Sequence, residues 1–187
     1  MSGPRGWRAT ALMLLASAAG ACSDGGPTQP DPSYVVTEDV AESTVDVSRV
    51  AEYRINAPTS SMSVSAWIGP SGGTLRLLDF EVVVPPGAVL VSTKFRIKLP
   101  SDVKKLDHAL AEFQPHGVPF LQPVTLRMPY RGTNAEGQTP SAIWWNGVSW
   151  VRYRTTLLPE GRLEITTDHF SFFGTELFVP GITPVGG

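Results

Sequence analysis

The chain has 187 residues, of which 17% are charged, with a formal charge of −2 and one cysteine. A single cysteine excludes an internal disulfide framework, and the absence of a basic stripe excludes nucleic acid as an expected partner. The 18 glycines and 17 prolines cut the apolar runs short, which predicts an all-β chain with many turns rather than a long-helix fold. At the start of the chain, residues 1–21 have the order of a secretory signal. Arg5 and Arg8 give a positive region, Ala11 to Leu15 begin a short apolar stretch, and Ala19-Gly20-Ala21 offer small side chains for cleavage. The apolar run is too short to span a bilayer.

Cys22 follows these small residues directly, and the segment resembles the lipobox of bacterial lipoproteins, with Ala19 where that family usually carries Leu. The resemblance implies that the Cys22 thiol takes a diacylglycerol, that the chain is cut before it, and that the new amino terminus is acylated. Each buried methylene of such chains contributes about 0.8 kcal/mol, so several together anchor a protein firmly. The bland alternative is an ordinary signal peptide with Cys22 as a stray residue. Ser23, where inner-membrane lipoproteins usually carry Asp, implies the outer membrane. The expected location is therefore the bacterial cell envelope, with the membrane as a partner through the N-terminal lipid. Without Arg5 and Arg8 the mature chain has 13 basic and 17 acidic side chains, a formal charge of −4.

Ser23 to Pro32 is polar and rich in Gly and Pro, and residues 22–60 are expected to form a flexible tether. Val35, Val36, Val45, Val47 and Val50 either add one strand to the body or remain tether. Strand patterning begins at Val64. Val64, Ala66 and Ile68 alternate with Ser and Trp, and Leu75 and Leu77 flank Arg76. Phe80 to Val84 is a near-continuous apolar run ended by Pro85-Pro86-Gly87, where Pro86 and Gly87 suit the centre of a type II turn. Phe95, Ile97 and Leu99 alternate with Arg96 and Lys98, a half-buried strand with a charged face in water. Ser101 to Glu112 is read as a turn or two of helix, or a loop. Val124, Leu126 and Met128 form another strand, and Pro123 and Pro129 point to an edge or a strand start. Asn146-Gly147 signals a two-residue type I′ hairpin pairing Trp145 with Val148 and Ile143 with Trp150 on one face, with Trp144 and Ser149 on the other. Leu163 to Thr166 alternate once more. The anticipated body is an antiparallel β-sandwich over residues 61–178, followed by a tail at 179–187.

Four motifs occur in order: Gly72-Gly73-Thr74-Leu75, Val84-Pro85-Pro86-Gly87-Ala88, Pro115-His116-Gly117-Val118-Pro119-Phe120 with Pro123-Val124-Thr125-Leu126, and His169-Phe170-Ser171. Together they resemble the ZU-five domain of zonula occludens proteins, netrin receptors and ankyrins, over roughly residues 64–178. The resemblance implies an antiparallel sandwich that serves as an interaction and scaffolding module, here toward another envelope protein or a cell-surface component. A fold alone does not carry an activity.

Three activities are weighed against simpler readings. Some relatives cut themselves between the Phe and Ser of a His-Phe-Ser motif. In that chemistry Ser171 Oγ attacks the Phe170 carbonyl, His169 acts as general base, and water resolves the ester. On the simpler reading Phe170 fills the core, and His169 and Ser171 bond to nearby backbone. Trp144 and Tyr153 are the candidates for an exposed aromatic platform for glycan or cell-wall fragments, whereas Trp145 and Trp150 read as core. His108, His116 and His169 fall in separate segments without ligand spacing, so no metal or other cofactor is expected. No Ser-His-Asp arrangement, Walker loop or dinucleotide turn is visible, and the chain reads as a non-enzyme.

Overall fold

Alternation of apolar and polar residues at a period of two lets a strand bury one face and wet the other, and several strands of this chain are built that way. The computed structural model describes residues 41–177. The signal segment, Cys22, the first part of the tether and the C-terminal tail lie outside the described residues. The fold is all-β, and the described residues form eleven strands in two antiparallel sheets and two short 3-10 turns at Glu42–Thr44 and Val103–Lys105.

The first sheet runs β1 (Ser63–Ile68), β4 (Thr93–Lys98), β5 (Leu110–Gln114), β11 (Phe172–Glu176), β7 (Ser141–Trp145), β8 (Trp150–Arg152). The second runs β2 (Gly73–Leu77), β3 (Phe80–Val84), β6 (Val124–Pro129), β10 (Arg162–Thr167), β9 (Thr156–Leu157). Between them lies the main core, with Phe80, Val82, Phe95, Ile97, Phe113, Leu126, Met128, Leu163 and Phe173 completely buried. Burying one side chain of this size contributes roughly 1.5–3 kcal/mol. Phe170 joins an aromatic cluster with Phe95, Phe113 and Phe120 at centroid distances of 5.8, 5.9 and 4.8 Å.

The type II turn forms as expected: Gly87 has φ of 80°, and Ala88 N donates to Pro85 O at 3.2 Å. Four readings are corrected. Ser101 to Ala109 holds one helical turn, Val103–Lys105, and loop, within the reading, but the last three residues of the stretch, Leu110 to Glu112, belong to strand β5. The strand bounded by Pro123 and Pro129 is the centre of its sheet and not an edge. Pro123 does mark its start, directly before Val124, and Pro129 sits at the last ladder position, opposite Arg162, where a missing N–H costs little.

The third correction concerns the hairpin. The register pairs Trp145 with Trp150 and Trp144 with Val151, leaving a loop over residues 146–149. Only Gly147 takes a positive φ, 96°. Asn146 instead uses its side chain: Oδ1 accepts from Val148 N at 2.9 Å and from Ser149 N at 2.8 Å. That Asx-type bonding gives a longer loop its closure and removes the need for a type I′ turn. Val148, expected on the buried face, is 85% exposed.

Finally, the folded body begins before residue 61. Residues 49–54 lie as a wedge between the chain ends of β5 and β11. Ala51 N donates to Thr175 O and Ala109 N to Ala51 O, both at 2.7 Å, and Tyr53 N donates to Asp107 O at 2.7 Å. Val45 and Val50 cover Leu110, Ile143, Trp145, Trp150 and Phe172 in a second apolar cluster on the outer face of the first sheet. That cluster would otherwise face water, which is why the supposed tether folds back. Gly174 makes the approach possible, since a Cβ there would lie 3.1 Å from Ala109 O and 3.2 Å from Val50 Cγ1.

Candidate functional site

The His-Phe-Ser motif forms the corner leading into β11. Phe170 points into the core and is 3% exposed. Ser171 is also buried, and its Oγ donates to Trp145 O at 2.7 Å. His169 Nδ1 lies 2.9 Å from Asp168 Oδ1, and its ring packs edge-on against Trp144 at 4.5 Å. The hydrogen bond from His169 holds the Asp168 carboxyl below its ordinary value. His169 Nε2 is buried without a hydrogen-bond partner among the described residues. No hydrogen bond joins His169 to Ser171 among them, and the serine proton is already given to the neighbouring strand.

Trp144 and Tyr153 are not open platforms. Both are half-buried and pack against the main core. Trp144 alternates with Ile143 and Trp145, so once those two cover the outer face it must turn inward, onto His169. The Tyr153 hydroxyl shares a hydrogen bond with Thr167 Oγ1 at 2.8 Å, and burial raises its phenol above the ordinary value. One side of Tyr153 borders a shallow depression of about 270 Å³ with Thr155, Glu164 and Thr166.

The histidines stand apart. His108 Nδ1 lies 2.6 Å from Asp107, His116 lies 3.5 Å from Glu112, and His169 sits at its corner. Among the described residues no group of three His, Cys, Asp or Glu side chains converges as metal ligands.

The residue that the sequence reading passed over is Trp67. It is 69% exposed on β1, at the edge of the first sheet, opposite Lys94 in the register. Val64, Ala66 and Ile68 face inward, so Ser63, Ser65 and Trp67 must face out, a placement already implied by the alternation. The second flank of β1 has no ladder partner among the described residues. Exposed edge strands normally carry a charge, a proline or a bulge, or are very short, because unpaired N–H and C=O groups invite another strand. The other edges follow that rule: β8 has three residues, β9 has two, and β2 carries Arg76. The six residues of β1, SVSAWI, have no such guard.

In sequence, the chain matches no known protein family, and no curated protein is similar to it.

Proposed function

We propose that this protein is a lipid-anchored component of the bacterial envelope, held through Cys22, and that its ZU-five-like sandwich is a non-catalytic interaction module. Its recognition edge is β1, which takes an extended segment of another envelope protein or cell-surface component as an added strand. The observation that carries the reading is the unguarded edge with Trp67 exposed upon it. Main-chain bonds along six residues supply affinity, and the indole supplies the large apolar anchor that interaction hot spots favour.

The experiment is photo-crosslinking in intact cells with a photoreactive residue in place of Trp67, and the same residue at Val148 as an exposed control. Discrete adducts at position 67 and not at 148 are expected. Adducts at neither position, or equally at both, would sink the edge assignment. The anchor is tested by intact mass of the membrane-extracted protein, which should begin at a lipidated Cys22.

The competing reading is self-processing between Phe170 and Ser171. The Asp168–His169 hydrogen bond and the unpartnered His169 Nε2 favour it. The commitment of Ser171 Oγ to Trp145 O speaks against it. The same mass measurement decides: two chains split after Phe170, and absent in Ser171→Ala, would replace the interaction module with a self-cleaving one.

A further inference from the structure

Away from the β1 edge, one end of the second sheet opens into a cleft of about 530 Å³. Three parts of the chain build it. Tyr53 comes from the wedge and Ile55 and Asn56 from the residues just after it, Arg76 and Asp79 from the β2–β3 hairpin, Arg131 and Glu160 from the loops after β6 and before β10, and Arg162 from the start of β10. Its size lies within the range of small-molecule sites.

The backbone around this cleft is unusual. The two non-glycine residues with positive φ among the described residues are Asn56, at 55°, and Leu78, at 53°. Asn56 lines the cleft, and Leu78 sits in the turn between Arg76 and Asp79, with its carbonyl held by Arg76 Nε at 2.8 Å. Left-handed backbone at such residues is uncommon and gathers where function holds a shape. Gly161, at φ of 89°, leaves space that a Cβ would fill, since that atom would stand 2.4 Å from Arg131 Cβ. Arg131 therefore lies across the turn and donates to Pro159 O at 2.7 Å.

The charges decide the ligand class. Arg162 is held by Glu160 at 3.0 Å and by Glu81 behind it, and Arg76 stands 3.7 Å from Asp79. Three guanidinium groups and two carboxylates, Asp79 and Glu160, line the cleft. The network behind Arg162, in which Glu81 and Glu164 together hold Arg127, supplies the balancing negative charge, so neither an anion nor a cation gains a large net attraction. The set offers both donors and acceptors on planar, two-pronged groups. A hydroxyl both gives and takes a hydrogen bond, so a ligand carrying several of them can use both kinds. The Tyr53 hydroxyl and the Asn56 amide make no hydrogen bond among the described residues and remain available to a ligand. Ile55, 61% exposed, and the Tyr53 ring add apolar surface for the C–H face of a sugar. We propose that this cleft binds a neutral saccharide.

The test is saturation-transfer NMR on the full-length protein with N-acetylchitotriose, maltotriose and cellotriose as probes, and inorganic phosphate and spermidine as charged competitors. Transfer to at least one trisaccharide is expected, unaffected by either competitor. Tyr53→Phe and Arg76→Gln should each weaken the binding about three- to tenfold, the loss of one hydrogen bond. Asn56→Gly keeps the left-handed backbone and removes only the amide, so it should also weaken binding while leaving the melting temperature in place. Transfer to none of the trisaccharides would overturn the proposal. So would displacement by phosphate or spermidine, or binding that survives all three substitutions.

Discussion

Glu176 lies on the outer face of β11, only 2% exposed, with Arg49 and Arg152 on its two carboxylate oxygens. Arg49 comes from the wedge, so one carboxylate ties that segment to β8 and β11. Removing one member of a buried ion pair leaves the others desolvated without compensation, which costs about 3–5 kcal/mol. Glu176→Gln should lower unfolding stability by about 3 kcal/mol, read from urea denaturation. Glu81 makes a different prediction. Burial alone would raise its carboxyl, but hydrogen bonds and charge from Arg162 and Arg127 outweigh that and hold it below the ordinary 4.5. A carboxyl depressed in the folded state stabilises fully above its unfolded value, and that contribution is lost as pH falls through the folded one. Stability should therefore decline below about pH 4.5, and a Glu81→Gln variant should show a shallower decline over the same range in thermal melts.

At the level of elements, the turns are where sequence signals met competition. At Pro86-Gly87 the turn chemistry was sufficient, because proline presets one φ and glycine accepts the other. At Asn146-Gly147 the same kind of signal gave the wrong loop length. Trp145 and Trp150 bury best as a direct pair, with rings 5.3 Å apart, and that pairing fixes the register. Asn146→Ala should cost about 1 kcal/mol by removing the bonds to Val148 N and Ser149 N, whereas a type I′ turn would have depended on Asn146 backbone conformation instead. Gly72 is less tolerant. Its φ is 75°, and an added Cβ would meet Val84 O at 2.4 Å, so Gly72→Ala should destabilise by about 2 kcal/mol or more. For the β1 edge, Ser65→Lys should abolish crosslinking from position 67 and shift stability by no more than about 0.5 kcal/mol, since that side chain faces water.

Across the whole molecule, the sandwich needs residues that its strand pattern does not announce. A chain starting at residue 41 keeps every described residue of the body and serves as the reference. One starting at residue 61 loses Val45, Val50 and Ala51, uncovers Trp145 and Phe172, and should be at least about 3 kcal/mol less stable and prone to aggregate. Equal melting temperatures for the two would show that the wedge contributes nothing to the core. The wedge also forms one wall of the proposed saccharide cleft, so the shorter chain should lose trisaccharide binding as well.

The all-β class, the inward sets Phe95-Ile97-Leu99 and Val124-Leu126-Met128, and the core position of Phe170 were determined locally. Alternation needs only neighbours along the chain to say which side chains share a face. The sequence also carried the outward placement of Trp67, though not the fact that its strand is an edge. Strand order belongs to the sheet as a whole, and no local pattern encodes which flank stays unpaired. The same limit hid the wedge, because Val45 and Val50 lack strand periodicity and are buried only by a surface formed by strands far along the chain. It also hid the balanced charges of the cleft, which come from segments as distant as Tyr53 and Arg162. Side-chain direction follows from two-residue geometry. Pairing, covering and convergence depend on which surfaces meet, and only the tertiary structure decided those.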